Sequence, residues 1–465
     1  MRPPRPRVDR GGAPTARTAV VIGASMAGLC TAAALARQGF RVTVLERDEL
    51  GGEPHHRRGV PQDTQAHVLL YRGLTVIESL LPGFRDDLLA AGAVPYDSGR
   101  MPWLGEYGWS CTEQDGYEVL SATRPLMEAV TRKRVAGFTG LQIRDGVTVT
   151  GLSRTDDGWQ TDIGDTVLSS QLVIDASGRS SRLSRWSVVP QDPIEEEVDA
   201  HVGYACRLYR ELYPLPVRAG VMILASAEGG RAGLAVPVEQ RQWLVAGAGF
   251  GDRRPPRDED GFGEFLTDLR DPAIADLVAL LEPVSDVSIH RQTANRRRRW
   301  DRVRHWPTGL LVVGDALCSL NPVYGQGITV AAQQAQVVNR ALERGHPVDR
   351  ALQRRMVAVT EAPWSIATTA DLRQPTCPGE PNPVQRISVA WVARLSRLAA
   401  AGDRRASAAL LAVNNLMASP ASLLHPALLL AGSRSLPPNR VARPDVLDEL
   451  SRARRDHPPA DPADA

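Results

Sequence analysis

The stretch VVIGASMAGLCTAAALARQGFRVTVLERD, Val20 to Asp48, decides the fold. Thr18 to Ile22 reads as a short apolar strand. Gly23, Ser25 and Gly28 follow in a G-x-S-x-x-G spacing, a Gly-rich turn with its middle glycine replaced. Ala24 to Gln38 carries Met26, Leu29, Cys30, Ala33 and Ala34 at helical spacing, and Gly39 stops it. Arg41 to Glu46 alternates apolar and polar residues as a second strand. In such a β-α-β unit the first glycine permits the tight turn and the last lets helix and strand close up. The bare helix N-terminus offers unpaired N–H groups to a pyrophosphate. Glu46 lies 18 residues past Gly28, where a ribose-binding acid belongs. The unit is expected to hold a dinucleotide on Gly23, Ser25, Met26, Ala27 and Gly28, with Glu46 and its neighbour Arg47.

The rest of the chain narrows the class. Its 465 residues are more than one core usually fills, so two or three units are expected, in places interleaved. Hydrophobic residues make up 43% and charged residues 23%, as in an ordinary globular protein. A net charge of +2 argues against a dedicated nucleic-acid binder and gives no reason to invoke a membrane. Lys133 is the only lysine, so lysine-dependent chemistry has one candidate. Cys30, Cys111, Cys206, Cys318 and Cys377 are odd in number, far apart and without a CxxC. They support neither a zinc site nor a disulfide framework, and they fit a reducing cytoplasm. The basic, Pro-rich start is expected to be a disordered arm rather than a signal peptide. No apolar run is long enough to span a bilayer. The nearest, Ala418 to Gly432, is interrupted by Pro420 and Pro426 and reads as packed helix and loop.

Two further strand-then-turn stretches select the nucleotide, QLVIDASGRSSRL (Gln171 to Leu183) and GLLVVGDALCSLNPVYGQG (Gly309 to Gly327). Gly314-Asp315 ends an apolar strand, which holds a carboxylate at the edge where ligands bind in such sheets. Pro322 and Gly325-Gln326-Gly327 precede a helix with Ile328, Ala331, Ala332, Ala335, Val338 and Leu342 on one face. That helix start aims N–H groups and a positive end at its ligand. An NAD site needs none of this. A flavin uses all of it, because the ribityl hydroxyls want an acceptor and the reduced ring carries negative charge near N1 and O2. The expected cofactor is FAD.

DASGRSSR, VVGDA and NPVYGQG resemble the second and third fingerprints of the single-component FAD monooxygenases of the aromatic hydroxylase type, in that family's order, from Val20 to about Arg350. RRGVPQ...AHVLL, ATRPLMEAV, NRRRRWDR and NPVYGQG are similar to a narrower branch. It comprises the bacterial epoxidases that act on polyene precursors of polyether antibiotics, of the lasalocid and monensin type. Thr64-Gln65 stand where that branch has an Arg-His pair, and Gln326 where it has a histidine. The resemblance implies that Glu46, Arg124 and Asp315 hold FAD and that Arg58 lies near it. It places Pro322 and Gly325 to Gly327 beside the flavin ring, with Ile328 completing the cofactor-binding set. It further implies that NADPH or NADH reduces FAD, and that molecular oxygen forms a flavin C4a-hydroperoxide. One oxygen atom then passes to an alkene of a hydrophobic polyketide or isoprenoid-like metabolite. The flavin carries this chemistry, so no catalytic side chain and no metal are implied. With no second Gly-rich β-α-β unit, the pyridine nucleotide visits transiently or a partner flavin reductase replaces it. The alternatives are hydroxylation of an aromatic or quinone-like polyketide and, in another class, a flavin-dependent alkene reductase or dehydrogenase.

The expected fold class is α/β: a Rossmann-like FAD-binding domain interleaved with a mixed β-sheet substrate domain, plus a C-terminal helical region. The boundaries read as an arm at 1–16, FAD-binding parts at 17–85, 119–186 and 291–347, and substrate-domain parts at 86–118 and 187–290. A helical region at 348–454 and a disordered tail at 455–465 complete the chain. Several residues keep two readings. Arg124 either caps a helix or pairs with a surface acid, against its FAD role. His67 is a core histidine or a cofactor neighbour. Arg296 to Arg299 read as a solvated or salt-bridged strand edge, and Asp175 as the anchor of its turn. Trp103, Tyr107, Trp109 and Tyr117 wall a substrate pocket or pack a core.

Overall fold

A computed structural model of the chain describes residues 17–112, 116–225, 230–433, 435 and 441–456. The expected arm at 1–16 lies outside the described residues, as does 457–465 of the expected tail. Arg455 and Asp456 are not tail: they end the helix Asp445–Asp456.

The quoted stretch forms β1 (Thr18–Ile22), α1 (Met26–Arg37) and β2 (Arg41–Leu45). Alternate and consecutive apolar residues bury both strands, and β1 lies in the middle of a five-stranded parallel sheet. The order is Leu310–Val312, Leu172–Asp175, β1, β2, Leu141–Arg144. Small side chains, Ala32 to Ala34 among them, let α1 sink fully between this sheet and its neighbours. Parallel strands all end at one edge. Gly23, Glu46, Ala176 and Gly314 therefore come together there, although 291 residues separate the first from the last.

A second sheet has eight strands, in the order Leu281–Pro283, Val202–Glu211, Gln242–Phe250, Arg231–Val238, Val221–Ile223, Trp103–Gly105, Gly108–Trp109. Ser288–His290 pairs alongside Val202–Glu211. Trp243, Phe262 and Phe265 fill its core, and Leu447 and Leu450 of the last helix close it.

Asn295–Arg298 is the central strand of a small antiparallel sheet, between Glu195–Val198 and Cys318–Ser319. The arginine run is thus salt-bridged but not at an edge. Arg297 bonds Glu196 at 2.6 Å and Glu361 at 2.9 Å, and it lies over the Trp364 ring at 4.6 Å.

Among the described residues beyond 348 the regular structure is helical, beginning with Arg350–Asp371, which Asp349 caps. Leu423 and Leu428 of the 418–432 stretch pack with Leu395 and Leu398. Among the described residues no helix is long and apolar enough to cross a membrane.

Candidate functional site

The turn after β1 is built by its glycines. Gly23 takes φ +104°, and a Cβ there would stand 2.5 Å from the Ala176 carbonyl oxygen. A Cβ on Gly28 would stand 1.8 Å from the Gly23 carbonyl oxygen. Only bare backbone fits at either place. Ser25 caps α1 in an extended conformation but makes no side-chain cap bond, so no side chain at the cap satisfies the N–H groups of the first helical turn.

The acid at the end of β2 is fixed by backbone. One Glu46 oxygen accepts from the Ala24 N–H at 2.8 Å and the other from the Asp48 N–H at 3.1 Å. Arg57 Nη1 approaches it at 3.4 Å.

Behind the turn lies a buried ionic cluster. Glu128 accepts from Ser25 Oγ at 2.6 Å, from Arg124 Nε at 2.9 Å, and from Arg57 Nη2. Arg124 Nη2 also donates to Ser25 Oγ at 2.8 Å. Burial pushes the Glu128 carboxyl up, but Arg124 and Arg57 together hold it below the ordinary carboxylate value. Arg124 is therefore the first residue of its helix, paired with a buried acid rather than a surface one, and Thr123 does the capping. Sequence reasoning passed over Glu128 and Arg57, although both stand inside the quoted ATRPLMEAV and RRGVPQ stretches and Glu128 lies i+4 from Arg124.

At the same strand ends, one strand over from β1, Asp175 anchors its turn, accepting from Ser177 N–H at 3.0 Å and from the hydroxyls of Ser177 and Ser181. That turn presents Arg179, whose guanidinium donates to the carbonyls of Gln292 and Ala294. Asp315 follows Gly314. Burial raises its carboxyl, against the opposing pull of Arg179, Arg124 and Arg296.

These parts surround one cavity of about 580 Å³, a size suited to a small-molecule cofactor. Gly23, Ser25, Met26, Ala27, Glu46, Arg47, Arg58, Arg124, Asp315, Pro322, Gly325, Gln326, Gly327 and Ile328 all line it. Gly28 does not; it closes the helix onto the strand behind. Arg57, Arg179, His67 and His290 line it as well. His67 Nδ1 donates to the Gln65 carbonyl at 2.9 Å; burial and then the charge of Arg124 push its imidazole down to about 4. His290, 223 residues further on, stacks on Tyr204 and is also lowered by burial. The Trp/Tyr group does not line this cavity. Trp109 packs in the second sheet, Tyr107 lies under Arg397, and Tyr117 lies against Tyr71.

The residues fit FAD on three counts. The glycine cradle admits a close approach that a Cβ would fill. Two buried polar atoms on the cavity wall, Arg57 Nη1 and Gln326 Oε1, have no hydrogen-bond partner within the protein. The donor set pairs a helix start and arginines, suited to a diphosphate, with two carboxylates, suited to sugar hydroxyls.

Comparison with known proteins agrees. A family model described as "FAD binding domain" matches residues 16–345. Protein Rv3254 of Mycobacterium tuberculosis is 31% identical over 392 residues, 78% of this chain and 82% of that protein. The 6-methylpretetramide 4-monooxygenase of Streptomyces rimosus is 28% identical over 74% of this chain and 78% of its own length. Among solved structures, a flavoprotein/dehydrogenase from Cytophaga hutchinsonii superposes with a TM-score of 0.66 at 13% identity, covering 90% of this chain and 98% of that one. That last likeness speaks for the fold.

Proposed function

We propose that this chain, which belongs to the FAD-binding domain family, transfers one atom of molecular oxygen to an alkene of a hydrophobic polyketide or isoprenoid-like metabolite, an epoxidation. The observation that carries this reading is the single cavity in which the glycine turn, Glu46, Asp315 and the Pro322 to Gly327 loop meet. Reduced by NADPH or NADH, bound FAD supplies the activation of oxygen. The chain's own residues bind, orient and shield. Glu46 takes the adenosine ribose. The start of α1, with Arg57 and Arg124, takes the diphosphate. Asp315 takes the ribityl hydroxyls. The start of the helix Gly327–Glu343 offsets negative charge on the reduced ring. Val60, Ala66, Val68 and Leu320 give the cavity apolar wall, which would help keep water from the reacting centre.

An alkene needs no base, which is consistent with a cavity whose two histidines, His67 and His290, are both lowered by burial. His67, held at about 4, is a poor acceptor for a phenolic proton. A second reading, hydroxylation of an aromatic or quinone-like polyketide, draws on the 28% identity to 6-methylpretetramide 4-monooxygenase. The reductant is a transient pyridine nucleotide or a partner flavin reductase, which fits a cytoplasmic enzyme. Neither nucleic acid nor stable membrane insertion enters the proposal.

The test is incubation of the FAD-loaded protein with NADPH and ¹⁸O₂, once with a linear trisubstituted polyene and once with a polyhydroxyanthracene. Label in an epoxide supports the proposal. Label only in a new phenolic hydroxyl replaces it with the second reading. A saturated, unlabelled alkene would overturn both in favour of a flavin-dependent reductase or dehydrogenase.

A further inference from the structure

Asp371 is the last residue of the helix Arg350–Asp371, and only 1% of it is exposed. Its carboxylate accepts from Tyr324 Oη at 2.6 Å, from Asn295 Nδ2 at 2.6 Å and from Asn321 Nδ2 at 3.1 Å. Every one of these partners donates. A carboxylate is the side chain that accepts from all and donates to none.

The partners are not scattered. Asn321 and Tyr324 flank Pro322 at the start of the loop that runs to Gly327. Asn321 Oδ1 accepts from the Val323 N–H at 3.2 Å and from Tyr204 Oη, and the Asn321 N–H donates to Asn295 Oδ1 at 2.7 Å. The loop is thus clamped by the strand Asn295–Arg298 and the helix end together, which also bond each other through Asn295 and Asp371. Asn321, Pro322, Gly325, Gln326 and Gly327 line the cavity; Asp371 does not. Asp371 also lies beyond residue 345, where the family match ends.

We infer that Asp371 is a positioning residue for the ring end of the FAD site, so that the C-terminal helical region completes a cofactor site the rest of the chain begins. This rests on the loop lying beside the flavin ring, as proposed above. Asp371→Asn puts an NH₂ group among donors and opens the clamp. Tyr324→Phe removes one bond without adding a donor.

The experiment is a fluorescence titration of the full chain and both variants with FAD, and a parallel titration with ADP, which shares only the adenosine diphosphate half. D371N is expected to weaken FAD about tenfold and leave ADP binding unchanged. Y324F should shift FAD less, in the same direction, and serves alone should D371N fail to fold. Equal loss of FAD and ADP affinity, or an unchanged FAD affinity in the folded variants, would overturn the inference. Wild-type protein that binds ADP but not FAD would overturn the function proposed above and this inference with it.

Discussion

Ser25 Oγ donates to Glu128 Oε1 at 2.6 Å, tying the cap of α1 to the helix Arg124–Ala136. The residue that departs from the usual Gly-rich spacing is thereby put to use. It helps hold a carboxylate that in turn holds Arg124 and Arg57 toward the cavity. Ser25→Ala should lower stability by about 2 kcal/mol, the worth of a hydrogen bond to a charged group, measured by urea unfolding. Ser25→Gly, which restores the spacing, should not recover it.

Glu128→Ala goes further, because it leaves two buried guanidinium groups facing each other. Loss of about 3–5 kcal/mol is expected. Glu128 also sets an acid limit. Its folded value lies below the unfolded one near 4.5, so its contribution is complete above 4.5 and is lost as pH falls through the folded value. Glu128→Gln should flatten the stability curve in that acid window and leave neutral pH as the region of largest cost.

His67 acts over a different window. Its folded value, about 4, lies below the ordinary 6.5, so the unfolded chain takes up the proton first. Stability should fall as pH is lowered from 6.5 to 4, by on the order of 3 kcal/mol in total, and change no further from this group below that. His67→Gln should remove this slope in thermal melts recorded across the window.

The glycine turn predicts a sharp asymmetry between positions. Gly28→Ala must push α1 off the strand, and Gly23→Ala is both overpacked and held at a left-handed φ. Each should cost about 3 kcal/mol or more and abolish ADP and FAD binding together. Gly52, whose added Cβ meets nothing within 4 Å, should tolerate alanine with no change in either titration.

Arg297 is fixed by Glu196, Glu361 and Trp364, away from the cavity. Arg297→Ala should destabilise by about 1–2 kcal/mol, since Glu196 and Glu361 reach solvent, while FAD affinity, read at a temperature where the variant stays folded, remains that of the wild type.

Local spacing made half of the site readable. Gly23, Gly28 and Glu46 lie within one β-α-β unit, and Asp315 and the Gly325 to Gly327 loop lie at the end of one strand, so neighbours in sequence report the geometry directly. Glu128, Arg179, His290 and Asp371 gave no such signal. Each reaches its partners only through tertiary packing of segments a hundred or more residues from the glycine turn, and although Glu128 and Arg179 fall inside the quoted ATRPLMEAV and DASGRSSR stretches, nothing there names their partners. Arg57 and Arg58 show the limit at its narrowest. Both line the cavity, but which of the adjacent pair is buried against Glu46 and Glu128 depends on the path of a loop that residue type does not encode. The aromatic group at 103–117 kept two readings for the same reason, since a tryptophan looks alike on a pocket wall and in a sheet core, and Trp109 takes the core.

The most direct measurement is the reaction of the reduced, FAD-loaded protein with oxygen in a stopped-flow spectrometer. Oxygen transfer requires that the cavity shield an oxygen-derived species long enough for a substrate to meet it. Two resolved phases are therefore predicted, with a transient spectrum distinct from both reduced and oxidised flavin before the oxidised form returns. A single-phase return to oxidised flavin, with and without the polyene present, would contradict an oxygen-transferring enzyme.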